Sequence, residues 1–406
     1  MGRRVVVIGA GQAGQSLAAR LRDLGHSGPI TLIGAETEIP YQRPPLSKKY
    51  LLGEMTVERL HLKPRSFYAE RAITLVTGEA VTAIDRAARE VVTATRRIGY
   101  DVVALTTGAT PRRLPDAIGG GLGGVHTLRT LGDVDALRPA IVEGRRALIV
   151  GGGYIGLEAA AVAAQKGLKV TLIEAAPRIL GRVAAPETAD FFRRLHRSNG
   201  VDIREDTALA RLEGEAGQVA HAVLADGATL AVDVVVVGIG VDPATGLAAA
   251  TGLALDNGIA VDGLCRTSDP AIFAAGDCAS FPWRGGRVRL ESVQNAIDMA
   301  EHAAGAINGA TAPYVPVPWF WSDQYAARLQ IAGLNLGYTR IVRRPGERAG
   351  AESVWYFEGA RFLAVDAMND PKAYMQGKRW LEAGVSPSPD AIADGGRDLR
   401  SLAPAR

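Results

Sequence analysis

Residues 150–158 read VGGGYIGLE, and residues 7–14 read VIGAGQAG. Both stretches place glycines at G-x-G-x-x-G spacing: Gly151, Gly153 and Gly156 in one, Gly9, Gly11 and Gly14 in the other. The first glycine of such a set allows a tight turn. The second lets the backbone approach a pyrophosphate, and the third lets helix and strand pack closely. The spacing alone is weak, and its flanks decide what it means. Around the second motif, RRALIVGGGYIGLEAAAVAAQKGLKVTLIE (145–174) gives a β-branched run, the turn, an Ala-rich helical stretch and another β-branched run. Around the first, RRVVVIG (3–9) leads into the turn, SLAARLRDLG (16–25) has helical periodicity, and ITLIG (30–34) is strand-like. Two β-α-β units are expected, each with an anion site at the helix N-terminus.

At 406 residues the chain has room for two or three domains, and 47% hydrophobic with 22% charged residues is the balance of a globular α/β protein. The formal net charge is +3, and Lys and Arg never form a run of five, which argues against a nucleic-acid tail. A local basic patch for an acidic protein partner stays open. The N-terminus has no secretory pattern, because VVVIG begins at Val5 directly after Arg3 and Arg4. The run VDVVVVGIGV (232–241) is too short to cross a bilayer and contains Asp233, so a buried strand is expected. Cys265 and Cys278 fit no zinc or redox-disulfide spacing and are expected to be free, buried thiols in a reducing cytoplasm. The six histidines, among them His196, show no ligand spacing, so no metal is expected.

A dinucleotide ribose calls for an acid near the end of the second strand. Glu174 stands there in the second unit. A carboxylate accepts from a ribose diol and repels a 2′-phosphate, so NADH is expected over NADPH. In the first unit the nearest acid is Glu36, with Ala35 beside it. Two dinucleotides in one chain point to a flavin and a nicotinamide nucleotide. Three further stretches favour FAD at the first turn: DVVALTTGATP (101–111), TSDPAIFAAGDCAS (267–280) with Asp277, and IPYQRPPLSKKYL (39–51) with Arg43 and Lys48.

With GAGQAG, RPPLSK, TTGATPR, GGGYIGLE, VGIGVDP, AAGDC, LESVQNA and PWFWSDQY in that order, the chain resembles the FAD-dependent NADH:ferredoxin reductases of bacterial cytochrome P450 and Rieske oxygenase systems, a putidaredoxin reductase-like family with the glutathione reductase-type fold. The resemblance covers essentially the whole chain. It implies an α/β fold with two Rossmann-like dinucleotide-binding domains plus a C-terminal α+β domain. The FAD domain would comprise 1–110 and 243–315, with an NADH domain of 111–242 inserted into it, and the C-terminal domain would be 316–406. The implied FAD contacts are Gly9, Gly11, Ala13, Gly14, Arg43, Lys48, Val81, Arg129, Asp277, Val293 and Trp321. The implied NADH contacts are Gly151, Gly153, Tyr154, Ile155, Gly156, Glu174 and Gly240.

The same resemblance implies hydride transfer from nicotinamide C4 to flavin N5, a step that needs positioning more than acid–base chemistry. Lys48 would tune the flavin, with Glu158 as its partner across the domain interface, or Glu158 merely tops its helix. Tyr154 would gate the flavin, or pack beside it. Disulfide reductases of this shape carry a cysteine pair where RPPLSKKYL stands, and this chain has none there. Electrons are therefore expected to leave singly to a [2Fe–2S] ferredoxin, an acidic protein docking on Arg284, Arg287, Arg289 and Lys49, though solvated loop charges are the plain alternative. Reduction of a small acceptor (monodehydroascorbate, oxygen or a quinone) and NADH sensing in the manner of apoptosis-inducing factor are the competing readings.

Overall fold

The computed structural model describes residues 2–402. Two compact units form, each from separated segments of chain. The first contains residues 2–43, Thr56–Thr110 and Val241–Pro316; the second contains Pro44–Met55, Pro111–Gly240 and residues 317–402.

In the first unit the β-branched runs become a five-stranded sheet in the order Ile272–Ala274, Val102–Leu105, Val5–Ile8, Ile30–Ile33, Ile73–Val76. All four pairings are parallel. A parallel sheet is covered on both faces, which is why Val5–Ile8 and Val102–Leu105 are apolar and buried at every position. Helices Gln12–Asp23 and Val293–Ile307 pack against each other. A small antiparallel sheet of Val81–Asp85, Glu90–Thr93 and Arg97–Gly99 completes the region before the unit's last segment.

The second unit repeats the plan. Its parallel sheet runs Asp202–Arg204, Lys169–Ile173, Arg146–Val150, Val234–Val237, Val125–His126. The valine run of 234–237 is buried at all four positions. Residues 317–402 add a five-stranded antiparallel sheet in the order Trp319–Gln324, Ala327–Gly333, Arg361–Met368, Glu352–Glu358, Arg340–Pro345. Helix Pro371–Glu382 closes over a core of Trp355, Phe357, Phe362, Val365 and Trp380. The α/β class with two Rossmann-like sheets and a C-terminal α+β region is thus present.

The two parallel sheets share a device at their base. Arg4 uses its backbone N–H (2.7 Å) and guanidinium (3.0 Å) to hold Asp101. Arg146 does the same to Asp233, at 2.8 and 2.6 Å. No helix among the described residues is long and apolar enough to cross a membrane.

Candidate functional site

The first turn leaves strand Val5–Ile8 through Gly9, whose φ of +110° suits only glycine. A Cβ on Gly9 would lie 2.2 Å from the Thr106 carbonyl oxygen, and one on Gly14 would lie 2.0 Å from that of Gly9. Strand, turn and helix are therefore in backbone contact. Gly11 differs: a Cβ there meets nothing within 4 Å. It caps helix Gln12–Asp23 with no side-chain hydrogen bond, and the first turn has no acidic residue. Free N–H groups and the positive end of the helix dipole thus face open space, an arrangement that fits a pyrophosphate.

Other segments converge on this turn. A Cβ on Gly276 would sit 3.0 Å from Ala13 Cβ and 3.8 Å from Ala296, so the Gly276–Asp277 turn meets the starts of both helices. Val293 is the first residue of its helix, capped by Ser292 through the Asn295 N–H at 3.1 Å. Glu36 is engaged by the Arg43 guanidinium at 2.6 Å and the Tyr41 hydroxyl at 2.5 Å. Burial alone would lower Arg43, but Tyr41, Glu36 and Asp277 together raise it above its ordinary value. Val81 begins a strand whose approach is tied back by the Gly78 N–H to the Glu36 carbonyl at 2.8 Å and the Glu79 N–H to that of Gly34 at 3.0 Å.

The second turn repeats this geometry. Gly151 has φ +109°, and a Cβ on Gly156 would lie 2.0 Å from the Gly151 carbonyl oxygen. Gly153 is open and caps helix Tyr154–Gln165 with no side-chain bond. Glu174 follows strand Lys169–Ile173 directly. It accepts from the Gly152 N–H at 2.7 Å and the Ala176 N–H at 2.8 Å. Ile155 is 44% exposed at the helix start, and Gly240 (φ +103°) lies three residues past strand Val234–Val237. The Tyr154 ring stacks on Phe320 at 4.8 Å, while its hydroxyl is buried without a hydrogen-bond partner. Burial, then the charge of Asp366, drives that phenol well above its ordinary value.

Lys48 and Glu158 form an ion pair of 2.7 Å, 18% and 3% exposed. Expected to span two domains, they fall within the same unit. Ser47 donates to the same carboxylate oxygen as Lys48, at 2.5 Å, and Ser322 donates to the other at 2.6 Å. Neither serine was singled out from the sequence. The signal for Ser322 was its strand alternation with Phe320, and for Ser47 only its place beside Lys48. Arg129 and Trp321 also belong to the second unit. The Arg129 N–H donates to Asp133 at 3.0 Å, and Trp321 stacks on Trp319 at 5.5 Å.

Among the expected docking residues, Lys49, Arg284 and Arg287 are exposed. Arg284 lies over the Trp283 ring at 5.2 Å. Arg289 is 10% exposed and paired with Glu291 at 2.7 Å. Both cysteines are free and buried. No cluster of metal-ligating side chains exists among the described residues.

Residues 3–300 match the pyridine nucleotide-disulphide oxidoreductase family and residues 319–403 match the reductase C-terminal family. A ferredoxin–NAD(P)(+) reductase of Sphingomonas sp is 45% identical over 384 residues, 93% of this chain and 92% of that protein. The crystal structure of a covalent putidaredoxin reductase–putidaredoxin complex aligns with a TM-score of 0.95 at 40% identity, covering 98% of each chain. The ferredoxin reductase for the CYP199A2 system of Rhodopseudomonas palustris aligns with a TM-score of 0.95 at 38% identity, covering 99% of this chain and 100% of that one.

Proposed function

This chain belongs to the pyridine nucleotide-disulphide oxidoreductase family, and we propose that it is an FAD-containing, NADH-dependent reductase of a [2Fe–2S] ferredoxin that feeds a P450 or Rieske oxygenase. FAD held at the first glycine turn would supply the conversion between a two-electron donor and a one-electron acceptor: one hydride in from NADH, one electron out to each of two ferredoxins and one proton released. The observation that carries the reading is two matched glycine turns in a chain with no redox-active cysteine pair. Its only cysteines, Cys265 and Cys278, are buried, and burial pushes both thiols above their ordinary range, away from the reactive thiolate. A dithiol exit is therefore closed, and a one-electron protein acceptor takes its place.

In this reading Gly9, Gly11, Ala13 and Gly14 bring backbone N–H groups to the FAD pyrophosphate, and Glu36, Arg43 and Asp277 take its hydroxyl and phosphate groups. Val81, Arg129, Val293 and Trp321 contribute the remaining FAD contacts. Gly151, Gly153, Ile155, Gly156 and Gly240 serve NADH, and Glu174 takes its ribose. Lys48 supplies a cation where negative charge collects during hydride transfer, and Glu158 holds it there. Tyr154 is the ring that yields to the nicotinamide. No hydrogen bond must break for its hydroxyl to move, and its stack on Phe320 contributes about 1 kcal/mol beyond the area it buries. Arg284 and Lys49 offer positive charge to an acidic partner, whereas Arg289 is spent on Glu291. The chain works in the cytoplasm, where its thiols stay reduced.

The test is an anaerobic stopped-flow mix of the yellow protein with NADH and then with a [2Fe–2S] ferredoxin. Bleaching of the flavin band in milliseconds followed by one-electron reduction of the ferredoxin is expected. A reduced protein that ignores ferredoxins and answers only oxygen or a quinone would overturn the reading.

A further inference from the structure

Strand Trp319–Gln324 turns alternate side chains to opposite faces, so Phe320, Ser322 and Gln324 share one. Each meets a different group. Phe320 stacks on Tyr154, the Ser322 hydroxyl donates to Glu158 at 2.6 Å, and Gln324 Oε1 lies 2.7 Å from His196 Nε2. Tyr154 and Glu158 are four apart on helix Tyr154–Gln165, which puts them about 6 Å apart on one face. Strand residues two apart are separated by about 7 Å. The spacings agree, so the strand face meets two helix residues in register.

The hydrogen bonds form one directed chain. Gln324 Oε1 can only accept, so His196 Nε2 carries the hydrogen and donates to it at 2.7 Å, which leaves Nδ1 as the acceptor facing the Tyr325 hydroxyl at 3.5 Å. The Gln324 amide then donates to the Ser322 hydroxyl at 3.2 Å, and Ser322 donates to Glu158. Burial lowers the His196 pKa, outweighing the opposing bond to Gln324, which keeps the ring neutral. Ser322, Gln324 and His196 are all fully buried. Buried polar groups cost stability unless each finds a partner, and here each does. The amide of Gln324 cannot hand on a proton, so the chain orients rather than conducts.

We propose that Ser322, Gln324 and His196 are positioning residues for hydride transfer: they fix the free oxygen of Glu158, and through it the angle at which Lys48 is held. This rests on the reading of Lys48 as the flavin-side cation.

The experiment uses the FAD-loaded holoenzyme with Ser322→Ala and, independently, Gln324→Met. It measures the flavin midpoint potential, and the limiting rate of NADH-driven bleaching separately from the NADH dissociation constant. Ser322→Ala is expected to slow the limiting rate about tenfold and move the potential negative, with the dissociation constant changed less than about twofold. Gln324→Met gives a smaller loss of about threefold, and Ser322→Thr, which keeps the hydroxyl, restores the rate. In a Glu158→Gln background neither substitution has a further effect. Unchanged rate and potential in variants that hold FAD would overturn the proposal, as would losses that persist without the Glu158 carboxylate. If Ser322→Ala does not hold FAD, Gln324→Met decides alone. A wild-type protein that NADH bleaches normally but that reduces no ferredoxin would fault the proposed function and leave this network standing.

Discussion

Gly9 and Gly151 have φ values of +110° and +109°, and a Cβ on Gly14 or Gly156 meets the carbonyl oxygen of its own turn's first glycine, Gly9 or Gly151, at 2.0 Å in both. The Arg4–Asp101 and Arg146–Asp233 pairs close the base of each sheet alike. The turns part company one residue beyond the second strand. In the second unit that position is Glu174, bonded to the Gly152 N–H. In the first it is Gly34, and a Cβ there would stand 2.6 Å from that of Ala10. Ala10 occupies the position equivalent to Gly152. One methyl group thus closes the first turn to an acid that the second accommodates, and the acid of the first region stands two residues later, at Glu36, already held by Arg43 and Tyr41. The backbone sets where a pyrophosphate can sit. The few atoms around it set what else of the nucleotide is recognised.

The sharpest way to break this comparison is to add one methyl at the matched glycines. Gly14→Ala should yield colourless protein without FAD. Gly156→Ala should stay yellow yet bleach with NADH at least about thirtyfold more slowly, since relieving such overpacking costs about 2 kcal/mol. Absorbance at the flavin band and stopped-flow rates separate the two, and loss of FAD from both variants would mean that the turns do not have separate ligands. Next in size, Glu174→Ala should lower kcat/KM for NADH about tenfold while FAD content holds, because the Gly152 and Ala176 N–H groups lose their acceptor.

The regions should also separate by pH. Hydrogen bonds from Arg4 and Arg146 hold Asp101 and Asp233 at about 2. Both pairs therefore stabilise above the ordinary carboxylate range, and both are lost as pH falls towards 2. Asp366, on the C-terminal sheet of the second unit, goes the other way. Burial raises it to about 6, against the pull of bonds from Tyr356 and Thr188. Its protonated form favours the fold, so stability should fall as pH rises from about 4 through 6. The loss from pH 5 to 7.5 should be on the order of 1 kcal/mol. Denaturant unfolding at those two pH values measures it, and Asp366→Asn should flatten the slope. The smallest effect expected is at the surface. Arg284→Glu should raise the KM for ferredoxin about threefold at low salt and little at high salt, with NADH-driven bleaching unchanged.

What could be read from the chain follows the range of the interactions. Val5–Ile8 and Val234–Val237 were legible as buried strands because a parallel sheet demands apolar side chains on both faces. The glycine turns were legible because their geometry is settled within a few residues. The docking arginines show the limit: Arg284 and Arg289 look equivalent in FPWRGGRVRLES, yet one is exposed and the other lies nine-tenths buried against Glu291. Asp366 carries no mark in its own strand that would announce a buried acid.

By itself, then, the sequence determined two strand–turn–helix units, the absence of a cysteine pair and the run of motifs that places the chain in its family. Each unit is encoded within about thirty contiguous residues, each motif within about ten, and the missing cysteine pair by composition. Only the tertiary structure decided that Glu158 would be met by Ser47 and Lys48 from 111 and 110 positions before it and by Ser322 from 164 positions after it. A helix residue exposes its side chain to whatever packs there, and nothing in local spacing says which strand that will be, or in which register.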